Sequence, residues 1–336
     1  MRLLLTGATG YIGRRLGMKL VKEEDLQLKL FVRNAKKVQE SIRTRAEIAE
    51  GSTFDVDSLS RAVKGVDVAY YLIHSMEAGK DFDKLDRLSA QNFLNACVEA
   101  GVKRIVYLGG LGMKETASKH LLSRIEVGEI LSSRPDVVQT VWFRAGIIIG
   151  SGSASFEIIR NLVQKLPVMT PPKWVRTLTQ PISVDDVLDY LIAGKDLRVD
   201  GNLVVDIGSE RMSFQDMLER AAEVMGLRRV LIPIPLPTTT LSSYWFVLLT
   251  PVPIRVASAL IDGLKSETLV QNDNAERFFP HIKPASYEDS VRRAIRDIEE
   301  EPERHESSSS RGRSHVRDLN SALSKHPGSN SSTDKR

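Results

Sequence analysis

The chain has 336 residues, 42% hydrophobic and 27% charged, which is globular composition with apolar residues enough for a sizeable core. Its net charge of +4 is small for that length, and no basic run is interleaved with aromatics, so nucleic acid is not an expected partner. The single cysteine, Cys97, excludes an intrachain disulfide framework and a cysteine-based metal cluster, and no metal site is expected.

Strand and helix signals alternate through the first half. Leu3–Leu5 reads as a strand rather than a signal sequence, because the apolar run is short and passes straight into Gly7. A cytoplasmic location follows by default. A helix over Tyr11–Val21 comes next, then a strand over Leu28–Val32 and a weak third strand around Ile48. Val66–Ile73 is apolar throughout, as a strand buried on both faces should be. Asp83–Ala100 has helical spacing and stops at Gly101; Cys97 lies on its apolar side, as a core thiol. Ile105–Leu108 is a strand, Leu121–Leu131 a helix, and Val137–Ile149 a long β-rich run. This order predicts an α/β fold, a doubly wound parallel sheet with helices on both faces.

Prolines punctuate the second half at 167, 171, 172 and 181. Helices are predicted over Val184–Ala193, capped by Ser183, and over Phe214–Met225, capped by Ser213. Leu203–Ile207 and Val230–Ile234 read as strands, the second broken by prolines. The expected organisation is a dinucleotide domain over 1–150, a smaller substrate-side lobe over 151–300 and a disordered Ser/Arg-rich tail over 301–336. The apolar stretch Leu241–Ile261 holds Pro251, Pro253 and Arg255, so two short buried helices explain it better than a membrane span. Tyr244–Leu249 within it is a candidate for peripheral membrane contact.

Between the first strand and the first helix runs Thr6-Gly7-Ala8-Thr9-Gly10-Tyr11-Ile12-Gly13. Gly7 permits the tight turn, Gly10 lets backbone approach a pyrophosphate, and Gly13 lets helix and sheet pack closely. The helix N-terminus then meets the phosphates. The second strand ends Phe31-Val32-Arg33-Asn34, with no carboxylate for a ribose 2′-hydroxyl. Arg33 suits a 2′-phosphate, and Arg14 and Arg15 lie just past the loop, so NADP is favoured over NAD.

These motifs resemble the atypical short-chain dehydrogenase/reductases, most closely their NmrA-like and complex-I-accessory-subunit-like branch. The resemblance also rests on Gly65-Val66-Asp67, Ala69 to Met76, Gly101 to Gly110, Arg144 to Gly150 and Gln180 to Val187. It implies that Gly7, Thr9, Gly10, Tyr11, Ile12 and Gly13 line the pyrophosphate and that Arg33 meets the 2′-phosphate. Ser52 and Thr53 would stand beside the adenine, where the family usually has Asp-Val. Leu72, Ile73 and His74 would follow the fourth strand beside the ribose, Leu108 and Gly109 would end the fifth, and Ala145 and Gly146 would stand beside the nicotinamide.

Active members use Tyr-x-x-x-Lys on the helix after the fifth strand, with a serine at that strand's end. This chain has no Tyr-x-x-x-Lys, and Gly109 and Gly110 stand at the serine position. The equivalents of the pair are His120 and Arg124, the candidate catalytic residues, one helical turn apart. His120 has the pKa range of a general acid, and Arg124 would keep the ribose contact without relaying protons. His74-Ser75, at the cleft mouth, is a second candidate for substrate contact. The expected function is an NAD(P)H-dependent oxidoreductase acting on a small or lipophilic molecule without the Ser-Tyr-Lys set. The alternative is a non-catalytic NADP(H)-binding sensor or assembly factor.

Overall fold

A computed structural model describes residues 1–74, 81–171, 173–232 and 254–300. The first half runs β1 (Arg2–Thr6), α1 (Tyr11–Leu20), β2 (Gln27–Val32), α2 (Glu40–Arg43), β3 (Glu47–Glu50), α3 (Val56–Val63), β4 (Val68–Tyr71), α4 (Phe82–Glu99), β5 (Arg104–Gly110), α5 (Lys119–Leu131) and β6 (Gln139–Ala145). Seven strands form one parallel sheet in the order β11-β6-β5-β4-β1-β2-β3, where β11 is Leu203–Ile207. The order reverses between β1 and β4, and that switch point opens a crevice at the strand C-termini.

Successive side chains of a strand point to opposite faces. Leu3 and Leu5 join a core with Leu16 and Leu20 of α1, while Leu4 joins a second core with Leu59, Phe93 and Cys97. Both faces are therefore dry, as the uninterrupted apolar strands require. Cys97 is fully buried, and burial pushes its thiol well up, so it is core and stays protonated.

The long β-rich run divides at Gly146 into β6 and β7 (Ile148–Ile149). After it come α6 (Ala154–Lys165), β8 (Val168–Met169), β9 (Leu178–Thr179), β10 (Ile182–Ser183), α7 (Val184–Asp196), β11, β12 (Met212–Ser213), α8 (Phe214–Val224), β13 (Val230–Leu231), α9 (Ile254–Gly263) and α10 (Asn274–Phe278); residues 287–300 are helical. Ser183 caps α7, its hydroxyl accepting from the Asp185 amide, and Ser213 forms a reciprocal capping box with Asp216.

Residues 151–300 do not all lie in a second lobe. The helix α7 packs its Val187 and Leu191 into the core beside α1, and β11 pairs with β6 as the sheet's edge strand. Arg144 and Asp206 pair across these two strands: Nε–Oδ1 is 2.5 Å and Nη2–Oδ2 is 2.9 Å, with Asp206 wholly buried. A lobe with its own core remains, built around Phe156, Ile159, Met217, Leu218 and Tyr287. The predicted strand Val230–Ile234 is described only as Val230–Leu231. The junction at 250–253, the Tyr244–Leu249 patch, Ser75, Met76 and the tail over 301–336 lie outside the described residues. Among the described residues no helix is long and apolar enough to cross a membrane.

Candidate functional site

The switch point opens into a cleft of about 840 Å³, enough for a dinucleotide-sized ligand. Thr6 closes β1 onto β4: its hydroxyl donates to the Tyr70 carbonyl at 2.9 Å and accepts from the Leu72 amide at 3.2 Å. The chain then turns through Gly7, whose φ of +68° is left-handed and whose Cβ would lie 2.4 Å from the Leu72 oxygen. A Cβ at Gly13 would lie 2.1 Å from the Gly7 oxygen. Backbone thus fills the space where side chains would stand. Gly10 brings no side chain to cap α1, and α1 has no acidic residue in its first turn, leaving its amides and dipole to the cleft. This cradle fits a pyrophosphate. Thr9, Tyr11 and Ile12 line it with the three glycines.

Arg33 lines the adjoining end and is exposed there. Arg15 is engaged elsewhere: it donates to the Ser151 carbonyl at 2.6 Å and stacks 4.3 Å over the Tyr11 ring. Burial raises the Tyr11 phenol to about 12. Glu50, at the end of β3, was not read from the sequence as part of this site. Its carboxylate accepts from the Ala35 amide at 3.0 Å, close to Arg33 in the chain.

Ser52 and Thr53 line the cleft as a turn after Gly51. A hydroxyl chain holds this turn: Tyr71 bonds Ser89 at 2.7 Å, and Ser89 donates to Thr53 at 2.7 Å. Asn92 donates to the Thr53 carbonyl at 2.8 Å. Phe54, 47% exposed, and Ser89 also line the cleft. Sequence reasoning missed both; an exposed aromatic directly after a candidate adenine turn was the available signal for Phe54.

At the far end stand Leu72, His74, Leu108, Gly109, Ala145 and Gly146. The predicted pair His120 and Arg124 enters the same cleft from one side of α5. Arg124 donates through Nη2 to the Leu108 carbonyl, and Tyr107 donates to the Arg124 carbonyl at 2.8 Å. His74 and His120 meet edge to face, 5.7 Å between ring centres. Burial, and then the Arg124 charge, lowers His120 to about 4. His74 opens to the cleft yet is ringed by protein atoms, and burial with Arg124 and His120 lowers it to about 3. Lowered in this way, His120 is an imidazole rather than an imidazolium near neutrality. A serine at the end of β5 is excluded by space, since a Cβ at Gly109 would lie 2.3 Å from the Trp142 ring nitrogen.

The second lobe closes this end with an apolar wall, Ile147 and Ile148 below and Val256, Leu260 and Leu264 of α9 and its end above. Among the described residues no cluster of His, Cys, Asp or Glu is arranged to hold a metal ion.

Residues 7–133 match the model of a family described as NAD(P)H-binding. The described fold is similar to several solved structures. One is a Citrobacter sp. triphenylmethane reductase complexed with NADP(H), at 17% identity and TM-score 0.70, over 88% of this chain and 100% of that one. Another is an Escherichia coli NADPH-dependent quinone oxidoreductase complexed with NADPH, at 17% identity and TM-score 0.68, over 87% and 98%. A third is the UDP-glucose 4-epimerase of Thermotoga maritima with UDP-glucose, at 14% identity and TM-score 0.68, over 89% and 99%. At such identities the likeness is one of fold. Residues 7–133 thus carry an NAD(P)H-binding family match, and the described fold is shared with these reductases and this epimerase.

Proposed function

We propose that the protein is an NADP(H)-dependent oxidoreductase of a small lipophilic molecule, working without the Ser-Tyr-Lys set, in the NmrA-like branch and in the cytoplasm. One observation carries this reading: a single cleft runs from the glycine cradle to an apolar wall supplied by the second lobe. Gly7, Thr9, Gly10, Tyr11, Ile12 and Gly13 would hold the pyrophosphate, Ser52 and Thr53 the adenine, and Leu72, His74, Leu108, Gly109 and Gly146 the ribose and nicotinamide. Arg33 supports NADP over NAD, since a guanidinium matches a 2′-phosphate. When bound, the cofactor supplies the hydride chemistry, which a protein need only position and shield. The apolar wall would exclude water and seat the acceptor.

The two neutral imidazoles favour acceptors that need no acid from the protein at the reacting atom. They also favour a second reading, a sensor or assembly factor that holds NADP(H) without turnover. An anaerobic assay separates the two. NADPH and the protein are mixed with aldehydes, ketones and quinones of increasing apolar size, and absorbance at the nicotinamide band is followed. Protein-dependent oxidation with at least one acceptor class supports the enzyme. Tight NADPH binding with no oxidation by any of them supports the sensor.

A further inference from the structure

Among the described residues that line the cleft there is no aspartate or glutamate; the charged side chains are Arg33 and Arg124, at opposite ends. Arg33 has a role in the cofactor reading. Arg124 is half-buried and makes no ion pair among the described residues; around it lie the Leu108 carbonyl, the Tyr107 ring with its centre 6.0 Å away and the two histidines, with the Asp86 carboxylate acting on the same tyrosines as Arg124. Asp86, on the facing α4, is buried and accepts from Ser123 at 3.0 Å. A guanidinium has five N–H donors, and the Leu108 carbonyl takes one. A half-buried cation with no carboxylate bonded to it is costly, and an anionic ligand reduces that cost.

A Cβ on Gly110 would meet Leu121 Cδ1 at 2.5 Å and Arg124 Nε at 3.7 Å, so the glycine lets α5 pack close to β5 with Arg124 at the cleft. The apolar wall of Val256, Leu260 and Leu264 lines the same cleft.

Resting on the reading of this end as the substrate end, we propose that Arg124 selects an apolar molecule bearing an anionic oxygen group, a carboxylate or an oxyanion. It is a substrate-binding residue, and the charge on it chooses among lipophilic ligands.

The test is calorimetric binding to the protein saturated with NADPH, using three probes of one shape: naphthoate, naphthamide and naphthylmethylammonium. Naphthoate should bind roughly tenfold or more tighter than the amide, with the ammonium weakest, since a charge-assisted pair outweighs a neutral contact by about that much. Arg124→Gln should erase the preference, while Arg124→Lys should restore part of it. Thermal melts confirm that both variants fold. Equal affinities, no binding of any probe, or a preference that survives Arg124→Gln overturns the proposal. So does a variant that loses NADPH affinity and keeps the anion preference, because the guanidinium would then serve the ribose. If NADPH itself fails to bind, the oxidoreductase reading fails, and the naphthoate preference is still measured on the protein alone.

Discussion

The imidazoles of His74 and His120 meet edge to face, 5.7 Å between centres, at the end of the cleft away from the glycine cradle. Burial first and the Arg124 charge second lower His120 from its ordinary 6.5 to about 4. Its Nδ1 is buried with no hydrogen-bond partner among the described residues. The pH consequence has a definite sign. The unfolded chain takes a proton near pH 6.5 and the folded one only near 4, so this stability is fully present above pH 6.5 and is lost as pH falls toward 4. The urea midpoint should therefore decline from pH 7 to 4.5, and His120→Gln should make that decline shallower. An unchanged slope in the variant would show that the shift is not there.

Rebuilding the missing serine should fail. A side chain at Gly109 meets the Trp142 ring at 2.3 Å, and one at Gly110 meets Leu121 at 2.5 Å. Overpacking of this kind costs about 1–3 kcal/mol. Gly109→Ser should lower the urea midpoint accordingly and bring no gain in NADPH oxidation. A stable Gly109→Ser protein with raised turnover would mean that the end of β5 has room for a hydroxyl.

Arg33 and Glu50 should act in opposite directions on the 2′-phosphate. Losing a charge-assisted contact in Arg33→Ala should weaken NADPH by roughly 10- to 100-fold and leave NADH nearly untouched. Glu50 places a carboxylate on the Ala35 amide, and Glu50→Gln should tighten NADPH by roughly two- to fivefold at low salt. Fluorescence titration with both nucleotides reads the two effects. Equal changes for NADH and NADPH would move the 2′-phosphate away from this corner.

Arg144 and Asp206 fasten the edge strand. Asp206 is completely buried, and it also accepts from the Gln271 amide at 2.9 Å. Asp206→Ala leaves the guanidinium without its partner and should cost about 3–5 kcal/mol. The double variant Arg144→Met, Asp206→Leu should lose much less, because no uncompensated charge remains. Chemical denaturation of the single and double variants checks this; equal losses would remove the ion pair from the account.

The glycine cradle was legible because its cause is local: Gly7 and Gly13 are needed where backbone meets backbone. The pairing of His120 with Arg124 was legible for the same reason, since one helical turn places both on one side of α5. The partner of β11 was not, because an apolar run states that it is a strand and not which strand it joins. Arg15 illustrates the same limit. Its position suggested a phosphate contact, but the Ser151 carbonyl and the Tyr11 ring, supplied by the fold, claim it. Glu50 reaches the Arg33 corner only because β3 lies beside β2. The α9 wall depends on a helix more than a hundred residues beyond α5 returning to the cleft.

The most direct test of the central claim is a fluorescence titration of the wild-type protein with NADPH and with NADH. The cleft predicts saturable binding of both, with NADPH clearly tighter. Absence of binding of either nucleotide at millimolar concentration would contradict the account, leaving the cradle from Gly7 to Gly13 as a turn that holds no dinucleotide.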